Sequence, residues 1–271
     1  MRHLSPFALA FSLHLLLAVA GPAGATETTP DLDWLLDEQA AQPSTPRRGA
    51  DTPPVFRASQ SLHETVVIEI AAETTELLAA VSAGDLSRVK ALLKAGAQPN
   101  AADLRGERAL PLAVRAGRLE LVRQLLAQGA APDLRGADGR TPLGIAALDG
   151  NAAVTRVLLK AGADVDIRGA HGNTPLLDAT LMNRIAVVRL LLAHRPDLER
   201  HDREGLHALA MAARDGREEI LEALLAAGVD VELPDKGNRT ALFWAIYKRQ
   251  RGSADVLLAR GADPGAMSTD F

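Results

Sequence analysis

Leu-Leu pairs recur at Leu92/Leu93, Leu125/Leu126, Leu158/Leu159, Leu191/Leu192, Leu224/Leu225 and Leu257/Leu258, each 33 residues after the last and with no insertion. A fixed period of about 20 to 50 residues marks stacked supersecondary units, because one such unit can bury its apolar face only against a neighbour. The spacing therefore predicts a stack of small units and moves the expected function from chemistry towards binding. Three further phases keep the register. Gly84, Gly117, Gly150 and Gly216 fall at one, with Asn183 and Arg249 at the equivalent places. Gly96, Gly129, Gly162, Gly228 and Gly261 fall at a second, where Arg195 departs, and Thr75, Thr141, Thr174 and Thr240 at a third, with Arg108 and His207 as exceptions. Six copies result, 70–102, 103–135, 136–168, 169–201, 202–234 and 235–267, followed by a tail of 268–271.

Each phase has a physical reason. In Arg140-Thr141-Pro142-Leu143 and Asn173-Thr174-Pro175-Leu176, Thr is placed to cap a helix N-terminus and Pro to occupy the first turn, where no N–H partner is needed. Gly150 ends that short helix, since a left-handed C-terminal residue costs glycine no Cβ clash. A second helix, Ala152 to Lys160, carries Val154, Val157 and Leu158 at helical spacing, and Gly162 stops it. Helix, turn, helix and long loop make one unit.

Asp138-Gly139-Arg140-Thr141-Pro142-Leu143, then Ala146-Ala147, then Leu158-Leu159-Lys160-Ala161-Gly162-Ala163-Asp164-Val165 closely resemble an ankyrin repeat. The resemblance covers about three quarters of the chain and implies an all-α ankyrin-repeat solenoid that binds another protein. The second copy, with Arg108-Ala109-Leu110-Pro111, has lost the Thr-Pro cap, and the fourth reads His194-Arg195-Pro196-Asp197 where the family has Gly-Ala-Asp. Loosened turns are expected at Arg108, Asn183 and Arg195.

The first 25 residues read as a secretory signal peptide. Arg2 and His3 precede an almost unbroken apolar run, Phe7 to Ala20, and small residues follow at Ala18-Val19-Ala20 and Ala23-Gly24-Ala25. The run is too short for a comfortable membrane span, and no stop-transfer segment follows. Cleavage is expected after Ala25, with Ala20 as the alternative; a mitochondrial presequence should be richer in Arg and Ser. The Ala, Leu, Arg and Gly bias points to a bacterial source and hence to the periplasm, with secretion as the alternative. Between leader and repeats, 26–69 is rich in Pro, Thr, Ser and Gln and is expected to be a mobile linker. Within it, Asp31 to Gln39 sets Leu32, Leu35 and Leu36 on one helical face beside Trp34, an acidic amphipathic piece suited to a groove of a partner or of the stack itself, or else to a transient helix in a disordered tail. Thr65 to Ile70 reads equally as a strand or as a cap on the first copy.

Composition excludes more than it selects. The chain has 30 Lys+Arg against 34 Asp+Glu, which argues against nucleic acid as the partner. It has no Cys, so no disulfide framework, thiolate nucleophile or Cys-based zinc site, and an exported form must be held by packing alone. There is no Gly-x-Ser-x-Gly elbow, and the glycines follow the repeat phase instead of forming a phosphate loop. Asp149 and Asp178 fall on neighbouring first helices, where Asp178 is expected to bond locally. His171, His194, His201 and His207 cluster in the fourth and fifth copies, but nothing in their spacing makes three converge on a metal, and His207 occupies the capping position. The expected protein is non-enzymatic, without cofactor, metal, membrane anchor or nucleic acid, and a monomer.

In relatives of this kind, partners are held on a concave surface lined by the loop tips and the exposed side of each first helix. Carried onto this chain, the resemblance gives Arg115, Leu148, Asp149, Leu181, Met182, Arg214, Asp215, Tyr247 and Lys248 on the helices. From the tips it adds Arg140, His171 and Leu206. Leu148, Leu181, Met182, Leu206 and Tyr247 are apolar where contact with solvent is expected, and an apolar strip rimmed by charge is the composition of a protein-binding surface. Leu148 and Leu181 stand at one phase of adjacent copies, so packing on each other is the alternative. Trp244 is expected to fill core space at the end of the stack. The role is that of an adaptor holding another protein, or of an inhibitor or immunity factor covering the active site of a toxin or hydrolase.

Overall fold

The computed structural model describes residues 72–169 and 172–266. The expected leader 1–25, the linker 26–69 with its Leu-Trp segment, His171 and the tail lie outside the described residues. The described residues form six helix pairs. The first is α1 (72–83) with α2 (Leu86–Ala95), and the next α3 (Ala109–Arg115) with α4 (Leu119–Ala127). Then come α5 (Pro142–Asp149) with α6 (Ala152–Lys160), and α7 (Pro175–Leu181) with α8 (Ile185–Leu192). The last two pairs are α9 (Ala208–Arg214) with α10 (Glu218–Ala226), and α11 (Ala241–Tyr247) with α12 (Arg251–Ala259). The fold is an all-α repeat solenoid; among the described residues extended pairing is confined to isolated bridges, Ala102 with Arg108 and His201 with His207.

Packing follows phase. The first leucine of each pair, from Leu92 to Leu257, is buried in all six copies. So is a small residue on each first helix: Ala80, Ala113, Ala146, Ala179, Ala212 and Ala245. A methyl side chain at that place lets successive first helices approach closely, while the leucines fill the layer between first and second helices. Burying one such leucine stabilises the stack by about 1.5–3 kcal/mol, so the repeated layer is its main support.

The caps form as their residue types require. Thr141, Thr174 and Thr240 accept from the N–H of Gly144, Leu177 and Phe243, three residues on in each case. His207 substitutes faithfully: its Nδ1 accepts from Ala210 N–H at 3.3 Å. Arg108 keeps the extended backbone of a cap but offers no acceptor, and its guanidinium instead donates to the carbonyl of Arg135 at 2.7 Å. Thr75 lies inside α1 and not at its N-cap. The turns at Asn183 and Arg195 differ from expectation. Neither is loosened: both residues take the left-handed backbone, at φ 55° and 52°, and their N–H groups bond to Thr180 and Leu192 as glycines do in other copies.

Between pairs, five loops close with one pattern. The N–H of Asp103, Gly136, Gly169, Asp202 and Asp235 donates to the carbonyl four residues ahead at 2.8–3.1 Å. Side chains then staple neighbouring copies: Arg135 donates to the carbonyl of Arg168, and Arg168 to that of His201, both at 2.7 Å over a separation of 33 residues. On the opposite side of each loop, Asn100, Asp133 and Asp166 accept from the N–H of Ala131, Asp164 and Asp197, 31 residues ahead.

Candidate partner-binding face

Each first helix is short, so its last residues and the loop before it form one continuous edge of the stack. Along that edge stand Arg115, then Leu148 and Asp149, then Leu181 and Met182, then Arg214 and Asp215, then Tyr247 and Lys248. Leu181 is 37% exposed and Met182 44%, the centre of an apolar step one copy wide. Leu148 is half-buried, and its carbonyl accepts from Arg184 at 3.1 Å.

The charged positions on either side are already paired. Arg115 lies 3.1 Å from Glu107 and 3.1 Å from Asp138 of the next copy, and Asp138 also meets Arg140 at 3.6 Å. Desolvation pulls the Arg115 guanidinium down, but its bonds to Glu107 and Asp138 outweigh that and raise its pKa. Asp149 is exposed on one side, yet desolvation by the surrounding protein raises its carboxyl above the usual range against the pull of Arg184, Arg115 and Arg140. Past the apolar step, Arg214 bonds Asp215 at 2.8 Å and Glu204 at 3.2 Å, and Arg217 closes on Asp215 at 3.2 Å while donating to the Thr180 carbonyl. The Asp215 bond is the main reason the Arg214 pKa rises. Charges held in this way present fixed donors and acceptors without further ordering cost.

Leu206 requires a correction: it is 1% exposed and belongs to the interior. The loop closes around it, with the Asp202 carboxylate accepting its N–H at 2.9 Å and the Asp202 N–H donating to its carbonyl. The register carried the signal. At the same phase Glu107 turns to Arg115, Asn173 donates to Asp178 at 2.9 Å, and Arg239 turns to Asp235. In these copies the residue before a cap turns to its own unit, and Arg140, one-third exposed, meets Asp138 of its own unit while keeping an outward face. Asp178 bonds locally, as its position near a helix start predicts, and does not form a carboxylate pair with Asp149.

At the last copy the edge becomes aromatic. Phe243 stacks on Tyr247 at 5.8 Å between ring centroids, and Trp244 meets both edge-on. Trp244 is only half-buried; its indole N–H donates to Asp235 at 2.9 Å and Arg239 lies 4.4 Å over its ring. Desolvation alone would raise Asp235, but bonds from the Arg239 N–H, Trp244, the Arg239 guanidinium and Gly237 lower it. Tyr247 remains 64% exposed with Lys248 above it. Ile246, 48% exposed, is the residue that phase alone assigns to the interior. Among the described residues no three metal-ligating side chains converge, and His201 and His207 meet edge to face at 5.7 Å.

The profile of a family described as Ankyrin repeats (3 copies) matches residues 77–169, 112–202 and 195–268. The chain belongs to the ankyrin repeat family. Its six helix pairs therefore make up a protein-interaction scaffold, and no catalytic family is indicated. Among solved structures it is similar to the ankyrin repeat domain of Bcl-3, described as a unique member of the IkappaB protein family, with a TM-score of 0.65 and 26% identity. That match covers 69% of this chain and 86% of the Bcl-3 chain. In all, 580 solved chains match significantly, so the ankyrin fold identifies the scaffold and the partner must be read from the surface. No curated protein matches this ankyrin chain significantly.

Proposed function

We propose that this ankyrin stack is an exported, non-enzymatic scaffold that holds one partner protein in the bacterial periplasm on the face made by its loop tips and first-helix ends. The observation that carries the reading is the exposed Leu181–Met182 step set between two ion-paired clusters, Arg115 with Asp138 and Arg214 with Asp215. An apolar centre with a polar rim whose charges are already fixed is what a specific interface requires, and Leu and Met bring about 1.5–3 kcal/mol each when fully covered. Arg140, Asp149, Tyr247 and Lys248 extend the contact. Export is supported by the leader sequence, with its apolar run from Phe7 to Ala20 and small residues at Ala23 and Ala25.

The test is capture from a periplasmic extract of the native host by the mature chain and by the double variant Leu181→Asp with Met182→Asp. The variant should lose the partner while its melting temperature stays within about 2 °C, as exposed positions allow. An equal loss of stability would assign the strip to the fold. Mass spectrometry of the native N-terminus checks export, since an intact Met1 overturns it. Assaying the captured protein with and without the scaffold then separates the roles: stimulation marks an adaptor, suppression an inhibitor.

A further inference from the structure

The end of the stack departs from every interior copy. Position 246 belongs to an inward phase, held earlier by Val81, Val114, Ala147, Thr180 and Ala213, all between 0% and 2% exposed. In the last copy it is Ile246, 48% exposed, and Leu258 is 44% exposed where Leu93 and Leu159 are buried and Leu126, Leu192 and Leu225 half-buried. A terminal repeat ordinarily turns a polar face outward, because nothing stacks upon it. The last described copy instead carries the bulkiest aliphatic residue of its phase. Ile246 lines a shallow depression with Ala245, Ala254, Arg249 and Arg251, and Leu258 follows Ala254 by one helical turn on the same face of α12.

The charge of this region is equally distinct. From Lys236 to Ala254 there are five cations, Lys236, Arg239, Lys248, Arg249 and Arg251, and no Asp or Glu, in a chain of formal net charge −4. The corresponding stretch of the fifth copy sets Arg203, Arg214 and Arg217 against Glu204, Asp215, Glu218 and Glu219. Arg239 is taken up by Asp235, and Arg251 pairs at 3.8 Å with Asp255, leaving Lys236, Lys248 and Arg249 with no carboxylate partner among the described residues. A second copy meeting this end would bring the same cations against it. At the other end, among the described residues, α1 offers exposed Thr75, Glu76 and Ala79, without apolar bulk to match Ile246.

We propose that the end face of the last repeat docks an acidic amphipathic helix of a partner protein, its aliphatic side chains on Ile246 and Leu258 and its carboxylates on Lys248 and Arg249. Such a helix takes the place a seventh first helix would occupy, and the cations fix its orientation and exclude basic competitors. The site is centred on Ile246 and Leu258, shares only Lys248 with the face proposed above, and does not depend on the Leu181–Met182 step.

Fluorescence anisotropy of a labelled synthetic helix of about 18 residues, with Leu at i, i+3, i+4 and i+7 and Glu elsewhere, titrated with the full chain, tests it. The Glu peptide should bind at least about tenfold more tightly than its Lys counterpart. Ile246→Asp should weaken it about tenfold or more, and Lys248→Glu with Arg249→Glu, both at exposed positions, should reverse the preference. Leu181→Asp with Met182→Asp should leave it unchanged. Equal affinity for both peptides, no binding of either, or loss on the Leu181/Met182 change would overturn the proposal. So would a dimer in sedimentation equilibrium that Ile246→Asp dissociates, which would give the face to a second copy.

Discussion

Two glycines of identical backbone sign do different work. Gly150 and Gly162 have φ of 74° and 84°, where any side chain is strained by about 1–2 kcal/mol. At Gly162 an added methyl meets nothing within 4 Å, whereas at Gly150 it would stand 2.6 Å from Cδ of Arg184, the residue that opens the second helix of the next copy. Gly162→Ala should therefore cost the backbone term alone, and Gly150→Ala about 1 kcal/mol or more beyond it through displacement of Arg184 and its bond to the Leu148 carbonyl. Urea midpoints of the two variants check this, and equal losses would mean that Arg184 moves aside freely. The same distinction explains Arg195, which sits at the open phase of Gly162 and projects into solvent. The sequence exposes the glycine phases plainly because one conformation demands one residue type. It hides which exceptions are tolerated, because that depends on whether the next copy lays a side chain across the turn.

Element by element, the caps decide how the first helices begin, and α9 begins with a histidine. His207 is fully buried, accepts from Ala210 through Nδ1 and faces the Leu233 carbonyl through Nε2 at 3.0 Å, so the neutral tautomer with a proton on Nε2 satisfies both. Desolvation lowers its pKa from 6.5 to about 4. The unfolded chain then binds a proton first as pH falls, so the stability tied to His207 is complete above pH 6.5 and declines as pH drops from there towards 4. Between pH 7 and pH 5 the loss should be on the order of 1–2 kcal/mol, and His207→Thr, which restores the cap of neighbouring copies, should remove most of it. Melting curves of both proteins at the two pH values decide. Element positions were legible in the sequence because Thr, Pro and Gly each stand where a helix end needs them. The candidate face was legible only in part: Leu181, Met182 and Tyr247 project as phase predicts, but Leu206 is drawn inward by Asp202, a loop contact that a helical period does not describe. Ile246 was invisible to phase for the opposite reason, since an inward position is buried only if another copy covers it.

At the scale of the whole molecule, among the described residues each interior pair is supported by two neighbours and each end pair by one. In such a one-dimensional stack local opening runs inward from the ends. Amide hydrogen exchange should show strongest protection in α5 to α10 and faster exchange in α1, α2 and α12, with exposed Ile246 and Leu258 marking the weaker boundary. Uniform protection along the chain would mean that all six pairs open as one unit. Because the Leu181–Met182 step lies on the central pairs, the proposed contact surface sits where the scaffold opens least, which lowers the ordering cost of binding.

The guanidinium staples bear on how the chain tolerates gain and loss of material. Arg135 and Arg168 make the same bond to a carbonyl 33 residues ahead. Excising 136–168 would bring Arg135 opposite the His201 carbonyl, the acceptor Arg168 now uses, and duplicating that segment would simply add one rung. The middle of the molecule can thus lengthen or shorten by whole copies without inventing a contact. The last copy has no such freedom: its aromatic cluster and cations occur once, and a copy inserted behind them would have to bury both.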